Sequence, residues 1–193
     1  MSEAAVENRN IDGIELPPPG TYTIDAAHTS VDVVARHLLV TKVRGHFPKF
    51  SGSVTIAEVP EESKVSATID ATSFTSNQEM RDNHVRAADF LDVENHPTIT
   101  FESTRLVRGK GREFKLEGNL TVRGVTRPIV LECEYLGITN HPQMGTRIGL
   151  SASTEIDRFD YGVSFNAALE TGGLVVSRNI RLEIEAQLTT PQG

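Results

Sequence analysis

The chain has 193 residues, 38% hydrophobic and 23% charged, which suffices for one domain with a sizeable core. Its 26 acidic residues outnumber the 19 basic ones, and a net charge of -7 argues against a nucleic-acid partner, which demands a basic face. A single cysteine, Cys133, excludes an intrachain disulfide and a thiolate metal cluster; without Trp and with 6% aromatics, a base-stacking surface is not expected.

Residues 1–19 read as a flexible N-terminal tail, closed off by Pro17-Pro18-Pro19-Gly20, and residues 20–190 as the folded domain. The tail has no basic start and no apolar run of about 7–15 residues, so it does not read as a secretory signal. No segment approaches the roughly 18 apolar residues of a membrane span. The expectation is a cytoplasmic protein.

From Thr21 onward the dominant period is two. Val31, Val33 and Ala35 alternate with Asp32 and Arg36; Val65, Ala67 and Ile69 with Ser66, Thr68 and Asp70; Ile99 and Phe101 with Thr98, Thr100 and Glu102. Phe114, Leu116 and Leu120 form the next apolar face, then Ile129, Leu131 and Cys133. Ile148, Leu150, Ala152 and Ile156 follow, and last Ile180, Leu182, Ile184 and Ala186. Turn signals at Pro60-Glu61-Glu62, Arg108–Gly111, Gly137–Gly145 and Gly172-Gly173 separate the runs. About eight strands, each with one apolar face, bury that face best by closing into an antiparallel barrel; a sandwich is the alternative. Ten residues per strand, tilted by about 40°, make a lumen on the order of 25 Å tall. Small inward side chains at Ala35, Ala67, Cys133, Ala152 and Ala186 leave two options, a packed core or an apolar tunnel suited to a long flexible lipid.

One stretch breaks the alternation. Ser76-Asn77-Gln78-Glu79 has the form of a capping box, and Met80, His84, Ala87 and Leu91 follow at helical spacing. The spacing predicts a short helix over 78–91, in a connection at the barrel mouth, stopped by Asn95-His96-Pro97. The six histidines show no metal-ligand spacing, so no metal site and no cofactor is expected. Asp25 with His28, Arg81 and Asp82 with His84, and Asp157, Arg158 and Asp160 read as ion pairs and turn caps at the rim. Acid–base roles for His28 or His84, oriented by Asp25 or Asp82, are the enzymatic alternative. No nucleophile motif is present, and the chain is not expected to be an enzyme.

Six blocks, in order, resemble the YceI-like, polyisoprenoid-binding family across Tyr22 to Leu188. They are Tyr22-Thr23-Ile24-Asp25 with His28-Thr29; Arg36-His37-Leu38-Leu39-Val40-Thr41-Lys42-Val43-Arg44-Gly45; and Arg81-Asp82-Asn83-His84-Val85 with Asp89-Phe90-Leu91-Asp92-Val93. Then come His96-Pro97-Thr98-Ile99-Thr100-Phe101, Gly118-Asn119-Leu120-Thr121-Val122-Arg123-Gly124-Val125-Thr126-Arg127-Pro128 and Asp157-Arg158-Phe159-Asp160-Tyr161-Gly162. The resemblance implies an eight-stranded antiparallel lipocalin-like β-barrel, a homodimer, and a polyisoprenoid or isoprenoid-quinone tail in the lumen. On that reading the tail touches Val31, Val33, Ala35, Ile69, Ile99, Phe101, Leu131, Leu150, Ala152, Leu182 and Ile184. His37, Arg81 and His84 meet the headgroup at the rim, where donors are needed. The rival is a structural or stress-related dimer with a solid barrel.

Overall fold

The computed structural model describes residues 8–38, 40–166 and 175–190. Residues 1–7 of the expected tail, Leu39 and the Gly172-Gly173 turn lie outside the described residues.

The described chain forms β1 (Arg9–Ile11), β2 (Ile14–Leu16), β3 (Gly20–Ile24), β4 (Ser30–His37), β5 (Thr41–His46), β6 (Phe50–Ile56) and β7 (Lys64–Asp70). A helix α1 (Glu79–Arg86) follows, then β8 (Thr98–Arg108), β9 (Glu113–Val122), β10 (Val125–His141), β11 (Gly145–Asp157) and β12 (Asn179–Thr189). From β3 onward the strands form one antiparallel sheet, in which β12 pairs with β11 on one side and with both β3 and β4 on the other. The sheet is therefore a closed barrel, not a sandwich. Eight staves suffice because β3 and β4 form a single stave broken by a corner, and β5 and β6 form the next.

The corner is built by Asp25. Its carboxylate accepts from the Ala27 amide (3.0 Å), from the His28 ring (2.8 Å) and from Gln187 Nε2 (2.9 Å), while the Gln187 amide donates to Thr29 Oγ1 (3.0 Å). These bonds replace the ladder where β12 passes from β4 to β3, so the barrel bends without leaving its edge unpaired. The pairing of Asp25 with His28 follows the sequence expectation.

Two glycines let aromatic rings settle against the barrel wall. A Cβ on Gly45 would lie 2.4 Å from the Phe74 ring, and one on Gly118 would lie 2.4 Å from the Phe101 ring. Phe101 and Phe74 belong to the principal cluster, with Phe47, Phe90, Leu116, Leu120, Leu131 and Tyr161. A second cluster of Tyr22, Val54, Tyr135, Ile148 and Leu188 occupies the barrel end away from α1.

Two elements differ from the sequence reading. Residues 9–16, placed in the tail, form the β1–β2 hairpin: Asp12 (φ 54°) and Gly13 (φ 81°) both take the left-handed region, as a two-residue Asp-Gly hairpin turn requires. The helix spans Glu79–Arg86, and its N-cap is Gln78, whose side chain accepts from the Arg81 amide (2.5 Å). Ser76 is not the cap. Its hydroxyl and amide both serve the Asp82 carboxylate, along with Thr75 Oγ1 (2.9 Å). That buried carboxylate, with three donors ahead of the helix, draws the loop onto α1 and takes Ser76 out of capping position. Beyond Ala87 the chain continues in turns up to His96.

Candidate functional site: an apolar lumen

The barrel encloses a cavity of about 1050 Å³ that runs from the β1–β2 hairpin to α1. Its volume sits at the upper end of the range for small-molecule sites, and its walls are almost wholly aliphatic and aromatic. The alternation of the strands explains why: each stave turns every second residue inward, and those positions carry Val, Ile, Leu, Ala and Phe.

All fourteen residues named from the sequence line this one cavity. Ile99, Phe101 and Leu131 are buried; Val31, Val33, Ala35, Ile69, Leu150, Ala152, Leu182 and Ile184 are half-buried. Partial exposure of inward apolar side chains in a closed sheet is the mark of a hollow centre, since a filled core would leave them as shielded as Ile148, at 1%. The choice between tunnel and packed core is thus decided for the tunnel.

Arg81 and His84 line the cavity from α1 together with Met80, and His37 lines it from the end of β4. Met80 lines the cavity and is nevertheless 79% exposed, which marks the α1 end as a mouth. Arg81 Nε donates to Ser76 Oγ (2.6 Å) and Nη2 to Ser76 O (3.1 Å), which fixes the guanidinium plane at the rim. His84 Nε2 meets Asp89 Oδ2 at 2.8 Å, and the ring stands edge-on to Phe90 and Phe165, with centroids 4.9 Å away in each case. The grouping of Arg81, Asp82 and His84 into one ion-pair set does not form. Asp82 faces Thr75 and Ser76, and His84 pairs with Asp89 instead, because residues two apart on a helix point to different sides.

Below that rim sits a group that sequence reading assigned to a charged cluster. Arg158 is 4% exposed, and among the described residues its hydrogen bonds go to carbonyl oxygens and not to a carboxylate. Nε donates to Ser177 O (3.0 Å), Nη1 to Val163 O (2.6 Å) and Phe165 O (2.9 Å), and Nη2 to Val176 O (3.4 Å). Burial lowers its pKa, against the raising effect of Asp157. Asp157 instead binds Arg178 Nε (2.6 Å) and caps the Phe159 amide (2.9 Å). The guanidinium thus ties two crossing segments together above the lumen. Nothing in the local pattern around Asp157 and Asp160 distinguishes this role from an ion pair, because the acceptors are main-chain carbonyls.

Cys133 faces inward as the alternation predicts, whereas the protonation of the buried phenols and the hairpin's share of the lining are not visible in the sequence. Burial pushes the Cys133 thiol up to about 12, so this lumen-facing sulfur stays protonated. Burial likewise raises the Tyr135 and Tyr161 phenols to about 12. Ile11, Ile14 and Leu16 of the hairpin line the end opposite α1; the Asp12-Gly13 pair between alternating apolar residues was the signal available for them.

An up-and-down antiparallel barrel closed around an apolar cavity defines the class of this fold. The chain belongs to the YceI-like family, whose domain matches residues 22–188. Among curated relatives, a UPF0312 protein of Staphylococcus aureus (strain N315) is 33% identical over 171 residues, covering 87% of this chain and 96% of the relative. Among solved structures, BcnA of Burkholderia cenocepacia superimposes with a TM-score of 0.74 at 21% identity, over 86% of this chain and 99% of BcnA. A polyisoprenoid-binding domain from Saccharophagus degradans, implicated in plant cell wall breakdown, gives 0.69 at 16% identity, over 88% and 98%. A YceI protein of Campylobacter jejuni gives 0.70 at 26% identity, over 81% and 90%. Among the described residues, no helix is long and apolar enough to cross a membrane.

Proposed function

We propose that this protein is a binding protein, not an enzyme, whose lumen takes up a long isoprenoid chain, the tail of a polyprenyl lipid or an isoprenoid quinone, to sequester or carry it. The observation that carries this reading is the continuous apolar cavity of about 1050 Å³ extending from the hairpin to α1. A narrow channel on the order of 25 Å tall matches an extended chain better than a compact metabolite. Each methylene transferred into it contributes about 0.8 kcal/mol, so a long tail binds tightly without any polar contact. The polyisoprenoid-binding domain of Saccharophagus degradans shares the fold, which is in keeping with the reading.

In this reading the lumen-facing Val31, Val33, Ala35, Ile69, Ile99, Phe101, Leu131, Leu150, Ala152, Leu182 and Ile184 touch the tail. His37, Arg81 and His84 hold the headgroup at the mouth, where the tethered Arg81 guanidinium offers donors and the His84 ring, its Nε2 engaged by Asp89, offers Nδ1. The working form is taken to be a cytoplasmic homodimer in which the β1–β2 hairpin joins the domain expected over residues 20–190; light scattering and cell fractionation test the oligomer and the compartment. The function itself is tested by extracting the purified protein with organic solvent, identifying released lipids by mass spectrometry, and titrating stripped protein with a prenyl alcohol and a quinone. Release or uptake of an isoprenoid supports it; failure of both overturns it.

A further inference from the structure

The hairpin that crosses the barrel end opposite α1 lies outside residues 22–188, the stretch shared with the family. It is nevertheless fastened to the barrel at several points. The Arg9 guanidinium donates to Glu58 O (2.8 Å), Ala57 O (3.1 Å) and Pro17 O (3.2 Å), clamping the hairpin to the connection after β6. Asp12 in the turn pairs with Arg108 at the end of β8. Tyr135 donates its hydroxyl to Glu15 O (2.7 Å), and Tyr22 donates to Pro18 O (2.8 Å). Between these anchors Ile11, Ile14 and Leu16 face the lumen, with Ile14 and Leu16 packed on the cluster of Ile148 and Leu188.

A polar clamp on the outside and three branched apolar side chains on the inside are the parts of a floor. We propose that Ile11, Ile14 and Leu16 are specificity-determining residues that set the length of isoprenoid chain the lumen accepts. This rests on the function proposed above. With the headgroup held at the α1 mouth, a tail grows towards the hairpin, gaining affinity with each unit until its end meets these side chains. Beyond that point a further unit must either fold back or lever the hairpin away, and it gains nothing.

The test is a ladder of linear prenyl alcohols, each one isoprene unit longer than the last, titrated into delipidated protein. Wild type is expected to gain affinity with length and then to level off or fall at a defined length. Ile14→Trp raises the floor and moves that break to a shorter alcohol. Ile14→Ala with Leu16→Ala lowers it and moves the break to a longer one. Each methylene gained or lost is worth about fourfold in Kd, so a shift of one unit changes affinity at the break by more than tenfold. Arg9→Ala with Asp12→Ala removes the outer clamps while leaving the lumen walls as they are, and is expected to blunt the break; it reads the same property without touching a core side chain. Thermal melts confirm that each variant is folded. An identical break in wild type and all folded variants overturns the floor while leaving the lipid-binding reading intact. A wild type that takes up no member of the ladder overturns both.

Discussion

Ala152 offers a sharp way to distinguish a hollow barrel from a filled one. It sits at mid-height on β11, across from Cys133 on β10 and Ile184 on β12, and its side chain faces the cavity. In a close-packed core, Ala152→Phe would force its neighbours off their rotamers and cost about 1–3 kcal/mol or more. In this barrel the ring has open space to enter, and it shields apolar wall that is otherwise exposed to the lumen. The delipidated variant is therefore expected to melt at or above the wild-type temperature. Binding moves the other way, because the ring occupies room that a tail needs. Displacing about four methylenes from the lumen forfeits ~3 kcal/mol, or roughly two decades in Kd. The assay pairs a thermal melt of stripped protein with a titration of one prenyl alcohol. A variant destabilised by several kcal/mol, or one that binds the alcohol as tightly as wild type, would refute the reasoning.

Arg158→Met removes a fork that satisfies four carbonyls; it is expected to lower stability by about 3 kcal/mol in chemical denaturation. Arg158→Lys should not restore this, since an ammonium lacks the planar fork. Cys133, Tyr135 and Tyr161 hold their protons up to about 12, whereas the unfolded groups release theirs from about 9 (thiol) and 10 (phenols) upward. Stability is therefore full below about pH 9 and falls as pH rises towards 12, and Cys133→Val should flatten the first part of that decline in melts taken across the range. Burial raises the Asp82 carboxyl, but bonds from Ser76 and Thr75 outweigh it and hold the group below its ordinary 3.8. Its contribution is present above that value and lost as the pH falls below it. Asp82→Asn should cost about 2 kcal/mol at neutral pH, with the gap to wild type closing in acid.

The barrel was legible in the sequence because a closed sheet writes a period of two into every strand. Val31-Val33-Ala35 and Leu182-Ile184 declare their inward faces without any tertiary information. The same alternation made the lumen walls readable, since the residues that face inward are the ones that line whatever the barrel holds. What did not show was anything whose partner is main chain. Arg158 beside Asp157 and Asp160 looks like part of a salt bridge until the carbonyls of Val163, Phe165, Val176 and Ser177 are in place. Ser76 fits a capping box equally well, and only the position of Asp82 six residues on decides against it. The hairpin at residues 9–16 is hidden in the sequence for a different reason. Its acidic residues and the three prolines that follow carry the composition of a tail, while three apolar side chains find their partners only after the barrel has closed.

The central claim, that the inward side chains surround a channel holding an isoprenoid chain, is tested most directly by a crystal structure of protein purified without any delipidation. Continuous elongated electron density along the barrel axis, broadening near His37, Arg81 and His84, is the expected result. Inward side chains meeting one another across the axis, with no such density, would contradict it.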